Sequence, residues 1–80
     1  MPDDKQFTIG GKKVSLNKQG VETAMKNVAP ENVSRYSVRI GQRDYPIKQV
    51  VSTATGIPSI AFISTTAYRV LTRLGFDVKV

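Results

Sequence analysis

The sequence predicts a small α+β domain in which a small antiparallel or mixed sheet carries three amphipathic helices on one face. Three apolar stripes with helical spacing, and several short segments of alternating apolar and polar residues, indicate this fold class. The chain has 80 residues, which is enough for one modest core. We expect residues 7–80 to form a single domain and residues 1–6 to form a flexible polar tail.

A β-hairpin followed by a helix is predicted at the start of the domain. The segments 7–9 and 14–16 alternate apolar and polar residues on either side of the turn Gly10-Gly11-Lys12-Lys13. Asn17 is a suitable N-cap for the helix, which should end at Ala29-Pro30 because the residue before a proline disfavours the α region. The apolar stripe of this first helix is Val21, Ala24, Met25 and Val28.

Two strands and a second helix are predicted next. Strict alternation in residues 35–40 places Tyr36, Val38 and Ile40 on one face, and Arg35, Ser37 and Arg39 on the other. The chain turns at Gly41-Gln42 and returns along residues 43–45, and Pro46 suits the first turn of a helix. This helix carries the stripe Ile47, Val50, Val51 and Ala54, and Gly56 stands where a left-handed C-cap is needed.

A loop, a third helix and a closing strand complete the predicted fold. Ile60 and Phe62 are expected to anchor the loop 57–63 to the core. Ser64 or Thr65 is the expected N-cap of the third helix, and Gly75 should cap its end. The stripe of this helix is Ala67, Val70, Leu71 and Leu74, and the strand 76–80 should turn Phe76, Val78 and Val80 inward.

The composition argues against catalysis and against a metal site. The chain has no cysteine and no histidine, which excludes disulfides and thiolate or imidazole ligands. Asp44 and Asp77 are isolated in sequence, and turn formation and local charge pairing are their expected roles; a shared metal is the alternative. We therefore expect no enzyme activity, no cofactor and no metal. Without a signal-peptide layout or a long apolar run, we expect a cytoplasmic protein with no membrane partner.

The net charge of +6 is concentrated in the second part of the chain. Residues 1–31 contain five lysines and four carboxylates, whereas residues 32–80 contain seven cationic and two acidic side chains, including all five arginines. This asymmetry indicates a polyanionic partner, nucleic acid first. A basic surface without any partner is the alternative.

Positively charged and hydroxyl side chains form the candidate binding site. Those on the predicted strand pair are Arg35, Arg39 and Arg43, and those of the third helix are Ser64, Thr65, Arg69 and Arg73. A helix start with hydroxyls and unpaired N–H groups is suited to phosphate, although an ordinary N-cap would look the same. Tyr45 and Tyr68 are candidates for stacking on bases, or else belong to the core.

Residues 36–80 resemble the N-terminal head domain of ScoMcrA-like modification-dependent HNH restriction endonucleases. The likeness is carried by Tyr36-x-Val38, Gly41, Tyr45-Pro46-Ile47-Lys48, Ala54, Gly56, Phe62, Leu71 and Leu74-Gly75-Phe76-x-Val78. It implies a DNA-handling context without nuclease activity, since cleavage in that family belongs to a separate HNH domain. Lys48 matches the family's lysine at a helix start, which implies a functional role, the alternative being an ordinary exposed lysine. Ser64-Thr65-Thr66 departs from the family's Ser-Gly-Gly, and the resemblance does not include the family's modification-reading domain.

These observations together predict a non-catalytic nucleic-acid-binding module with phosphate-dominated contacts. Double-stranded DNA, bound weakly and with little sequence preference, is the expected partner. The alternative is a protein–protein interaction or inhibitor module that docks on an acidic partner. An exposed apolar patch beside the arginines would favour that alternative.

Overall fold

The computed structural model describes residues 4–31 and 35–79. Across these ranges the chain forms five strands, three α-helices and one 3₁₀ turn, so the predicted α+β class is confirmed. Their order is β1 (Lys5–Ile9), β2 (Lys12–Leu16), α1 (Lys18–Ala24), β3 (Ser37–Ile40), β4 (Arg43–Pro46), α2 (Ile47–Thr55), a 3₁₀ turn (Ser59–Ala61), α3 (Ser64–Arg73) and β5 (Val78–Lys79). The strands form two small antiparallel sheets, β1-β2 and β4-β3-β5.

The N-terminal hairpin is longer than predicted and its turn is tighter. Gly10 and Gly11 alone connect β1 to β2, with φ of 57° and 81°, and two successive positive φ angles are typical of a type I′ hairpin turn. β1 begins at Lys5, paired with Leu16, so the predicted tail boundary was wrong for Lys5 and Gln6. The rest of the predicted tail, residues 1–3, lies outside the described residues.

Helix α1 starts as predicted and ends earlier. The side chain of Asn17 accepts a hydrogen bond from the Gly20 N–H at 2.6 Å, which confirms the N-cap. The helix ends at Ala24, with Met25 as C-cap, instead of continuing to Ala29. Asn27 adopts a left-handed conformation with φ of 63°, which asparagine tolerates better than most residues. The chain therefore leaves the helix before the proline that was expected to stop it.

The three-stranded sheet has β3 at its centre. Val38 faces Tyr45 on β4 and Val78 on β5, and the alternation predicted for β3 is confirmed. The sequence predicted Pro46 in the first turn of α2, one position further along. Pro46 instead ends the edge strand β4 and is the N-cap of α2. Proline is tolerated there because an edge strand has one row of unpaired backbone groups. The closing strand is short, and the expected inward position of Val80 lies outside the described residues.

Glycines end α2 and α3 as predicted. Gly56 caps α2 in the left-handed conformation, with φ of 76°. At the end of α3 the Gly75 N–H donates to the Thr72 carbonyl (3.1 Å), and the Phe76 N–H donates to the Leu71 carbonyl (3.0 Å). This pair of bonds is a Schellman motif. It turns Phe76 into the core, where only 6% of the residue is exposed.

The loop between α2 and α3 corrects one core prediction. Phe62 is buried as expected, but Ile60 is 94% exposed and Ile57 takes the expected place in the core. Ala61 in the 3₁₀ turn faces the hairpin, since a Cβ added to Gly10 would lie 3.1 Å from the Ala61 carbonyl oxygen. The neighbouring Ile60 consequently points to solvent.

All three helical stripes pack into one core with both sheets. Helix α2 lies between α1 and α3 and also contacts β4. The buried apolar residues are Phe7, Ile9, Leu16, Val21, Met25, Val38, Ile40, Tyr45, Ile47, Val50, Val51, Ile57, Phe62, Ala67, Val70, Leu71, Leu74 and Phe76. Ala24, which belongs to the predicted stripe of α1, is half-buried, and Val28, Ala54 and Val78 pack partly buried against this core. Over residues 4–31 and 35–79, no helix is long and apolar enough to cross a membrane.

Leu71→Ala should lower the free energy of unfolding by about 2–5 kcal/mol, because it leaves a cavity at a fully buried position. Ile60→Ala is the control, since truncating an exposed aliphatic side chain should change the free energy by no more than about 0.5 kcal/mol. Urea unfolding followed by circular dichroism measures both values. Equal losses in the two variants would contradict the described core.

Candidate anion-binding site

A cleft of about 370 Å³ lies where β4 runs into α2 and where α3 begins. It is lined by Arg35, Tyr36, Pro46, Ile47, Lys48, Ser64 and Thr65. We call it the basic cleft. Half of the predicted site residues, namely Arg35, Lys48, Ser64 and Thr65, line it, although they lie up to thirty positions apart in the sequence.

Two helices begin at the basic cleft. Ile47 and Lys48 are the first residues of α2, and Ser64 and Thr65 are the first residues of α3. The first-turn N–H groups of a helix have no partner within the helix, and they carry the positive end of its dipole. Within the described residues, neither helix has a hydrogen bond from the side chain of its N-cap residue.

The prediction that Ser64 or Thr65 is the N-cap of α3 was wrong. Ile63 is the N-cap, with extended backbone angles, and Ser64 is already helical. An isoleucine side chain cannot accept a hydrogen bond from the first turn. Ser64 and Thr65 line the cleft, and neither of them is the cap of the helix.

Lys48 and Arg35 supply the formal charge of the cleft. The Lys48 ammonium lies 5.7 Å from the ring centroid of Phe62, a cation–π contact. Phe62 is buried two residues before Ser64, so this contact holds the ammonium toward the start of α3. Arg35 is exposed and enters the cleft from the chain that leads into β3.

No carboxylate is among the described residues that line the basic cleft. Over residues 4–31 and 35–79, the one ion pair within 4.0 Å joins Arg39 to Asp44, away from the cleft lining. Glu31 shares a neighbouring hollow of about 150 Å³ with Lys48 without forming such a pair. Two helix N-termini and two cationic side chains thus meet in a described lining that contains no carboxylate, which favours an anion.

Arg39 and Arg43 are engaged elsewhere on the protein. Arg39 faces Asp44 directly across β3 and β4, and its Nε lies 3.3 Å from Asp44 Oδ1. The local charge pairing expected of Asp44 is therefore present. Arg43 donates from Nη1 to the Val28 carbonyl at 3.0 Å, which ties β4 to the segment after α1. Neither arginine is part of the cleft lining.

Arg69 and Arg73 are exposed on successive turns of α3, as their spacing predicted. The Arg73 guanidinium lies 5.4 Å from the ring centroid of Phe7 and so covers the hairpin. Arg69 lies one turn beyond Thr65, outside the cleft lining. Half of the predicted site residues therefore line the basic cleft, and the other half, Arg39, Arg43, Arg69 and Arg73, lie outside its lining.

The alternation of apolar and polar residues in the sequence did not show which tyrosines are buried and which line the site. Tyr45 is 2% exposed and its hydroxyl donates to the Val28 carbonyl at 2.7 Å, so it belongs to the core. Tyr36, expected on the buried face of β3, is half-buried and lines the cleft. It directly precedes Ser37, the first residue of β3, and so lies at the end of the strand. Its role in the site was missed because alternation gives a face but not how far that face is covered.

Acidic side chains do not gather into a metal site in the part of the chain that the structure describes. Over residues 4–31 and 35–79, no three carboxylates lie close enough together to hold an ion. The described groups that can act on a ligand at the cleft are therefore hydrogen-bond donors and fixed positive charges.

The fold and the cleft define a small basic α+β protein with a cationic, carboxylate-free cleft. The chain belongs to the SCO5918-like family, whose model matches residues 8–80. No curated protein and no solved structure matches the chain significantly. The family match extends from the N-terminal hairpin to the end of the chain and so includes every residue of the basic cleft.

Arg43→Ala should lower the free energy of unfolding by about 0.5–1.5 kcal/mol, because it removes the hydrogen bond to Val28. Arg35→Ala is the comparison: it also removes one positive charge, in this case from the cleft. It should change the free energy of unfolding by no more than about 0.5 kcal/mol. Thermal or urea unfolding distinguishes the two variants. A larger loss for Arg35→Ala than for Arg43→Ala would mean that the cleft arginine is part of the scaffold.

Proposed function

We propose that this chain is a non-catalytic nucleic-acid-binding module that holds backbone phosphate in the basic cleft. The observation that carries the proposal is the convergence of two helix N-termini with Lys48 and Arg35, in a lining without a carboxylate. Such a place attracts anions through fixed charge and through preorganised N–H donors.

The chemistry of the lining suits a phosphodiester. The Arg35 guanidinium offers paired donors that match two phosphate oxygens, and the Lys48 ammonium acts as a point charge. The hydroxyls of Ser64 and Thr65 add neutral donors at the start of α3. Because these groups read phosphate and not base edges, binding should show little sequence preference.

DNA is the nucleic acid that we propose. The reason is the resemblance to restriction endonuclease head domains, which includes the segment Tyr45-Pro46-Ile47-Lys48; the last three of these residues line the cleft. In this proposal Lys48 is a phosphate ligand, and the chain acts in a DNA-handling setting. In the same proposal Arg69, which lies one turn beyond Thr65 on α3, contacts a neighbouring phosphate of the same strand.

The double variant Arg35→Ala/Lys48→Ala should weaken DNA binding and flatten its salt dependence. Phosphate binding releases counterions, so the slope of log K against log salt should fall by about one for each phosphate that is no longer neutralised, or about two in all. Fluorescence anisotropy with labelled oligonucleotides at several salt concentrations measures both quantities.

The matched control is Lys5→Ala/Lys26→Ala, which removes the same net charge from two exposed positions outside the cleft lining. It should leave the salt slope close to that of the unaltered protein. An equal effect of the two double variants would show that binding is spread over the surface. If the unaltered protein binds neither DNA nor RNA at low salt, the nucleic-acid proposal is refuted.

A second candidate function, docking on an acidic protein, is favoured by exposed isoleucines. Ile60 is 94% exposed and Ile63 is 65% exposed, and Ile63 directly precedes Ser64 of the basic cleft. Apolar side chains beside a cationic cleft suit a partner surface that presents carboxylates around an apolar centre.

This second candidate predicts that partner binding depends on both features together. A partner captured from cells and then purified should lose affinity with Ile60→Ser/Ile63→Ser and also with Arg35→Ala/Lys48→Ala. Lys5→Ala/Lys26→Ala should bind it normally. Calorimetric titration measures the affinities, and a partner indifferent to the isoleucine change would contradict docking at this surface.

A further inference from the structure

A second hollow adjoins the basic cleft and is of different character. It has a volume of about 250 Å³ and is lined by Tyr36, Ser64, Thr65 and Tyr68. The rings of Tyr36 and Tyr68 meet edge to face, with centroids 5.9 Å apart and planes at 64°. We call this the aromatic hollow.

The aromatic hollow and the basic cleft share part of their lining. Tyr36, Ser64 and Thr65 line both of them. A ligand that spans the two would therefore meet cationic side chains at one end and aromatic rings at the other. A nucleotide has this layout, because its phosphate and its base are joined through a single sugar.

Tyr68 is available to such a ligand. It is 42% exposed, although it stands on α3 next to Ala67, which is fully buried. Its contact with Tyr36 fixes one side of the ring, and the exposed part faces away from the core. An aromatic ring held in this way can stack on any base, since every base has a π-face.

We infer that the aromatic hollow accepts one unpaired nucleobase whose own phosphate lies in the basic cleft. The inference rests on the proposed function and deepens it. In a duplex each base is paired and stacked on its neighbours, so it reaches such a hollow only after unpairing. The chain should thus prefer single strands, frayed ends or unpaired bases over intact duplex. This departs from the expectation of double-stranded DNA that the charge pattern alone suggested.

The test compares three labelled DNA ligands of equal length by fluorescence anisotropy at fixed low salt. They are a single strand, the same strand with its bases replaced by abasic sites, and the corresponding duplex. The single strand should bind about 5- to 100-fold more tightly than the abasic strand, as expected for one stacked base. The duplex should bind less tightly than the single strand, because its bases are paired and cannot enter the aromatic hollow.

Substitutions at Tyr68 supply the matched controls. Tyr68→Phe keeps the ring and should keep the preference for the single strand. Tyr68→Leu removes the ring and should bind the single strand no better than the abasic strand, with its affinity for the abasic strand unchanged. A thermal unfolding curve for each variant checks that the fold is intact; if Tyr68→Leu is unfolded, the comparison among the three ligands with the unaltered protein decides alone.

The possible outcomes separate the inference from the proposed function. Equal and salt-dependent binding of single, abasic and duplex DNA would overturn the aromatic hollow as a base site and leave phosphate binding in place. Tighter binding of the duplex than of the single strand would also overturn the aromatic hollow as a base site. Absence of binding to all three ligands would overturn the proposed function itself.

Discussion

The burial of α2 against both other helices is the contact on which the rest of the structure depends. Val50 and Val51 are essentially inaccessible to solvent, and α2 contacts α1, α3 and β4. Pro46 ends β4 and starts this helix, so the direction of the sheet fixes where α2 begins. Gly56 then ends it in a left-handed turn, and the chain returns to begin α3 on the same side. The basic cleft exists because these two helix starts are brought together by one packed helix.

Much of the fold could be predicted because it depends on local signals that agree with each other. The stripes of α2 and α3, the glycine caps at Gly56 and Gly75, and the alternation of β3 all appear as expected. Each is a short-range pattern in which propensity and burial favour the same structure. The end of α1 was predicted too late: the helix stops at Ala24, and Asn27, three residues further on, has a left-handed conformation that asparagine permits but does not require. The inward position of Ile57 could not be read from sequence, since it depends on the contact between Ala61 and the hairpin turn.

The candidate site was only partly visible in the sequence for a related reason. Residue type and spacing identified Arg35, Lys48, Ser64 and Thr65 one by one, but nothing local shows that they share a cleft. The same rules selected Arg39 and Arg43, which the structure pairs with Asp44 and with the Val28 carbonyl. A count of positive charges treats all of these side chains alike. What distinguishes them is whether a partner already satisfies the charge, and that is a property of tertiary structure.

The distribution of partners among the cationic side chains gives the molecule two kinds of basic residue. One kind lies against an aromatic ring or a backbone oxygen and covers the core, as Arg73 does over Phe7 and Lys18 does over Phe76. The other kind borders the cleft, where two helix dipoles add to the same sign of potential. Of these, Lys48 also lies against an aromatic ring, that of Phe62. Gathering like charge in this way opposes folding, and a bound anion would relieve the repulsion. A cleft built from two helix starts, with no carboxylate in its described lining, is therefore the feature that supports the proposed anion binding. Tyr36 and Tyr68 add an aromatic surface beside the charged one, at the place where a phosphate bound as proposed would carry its base.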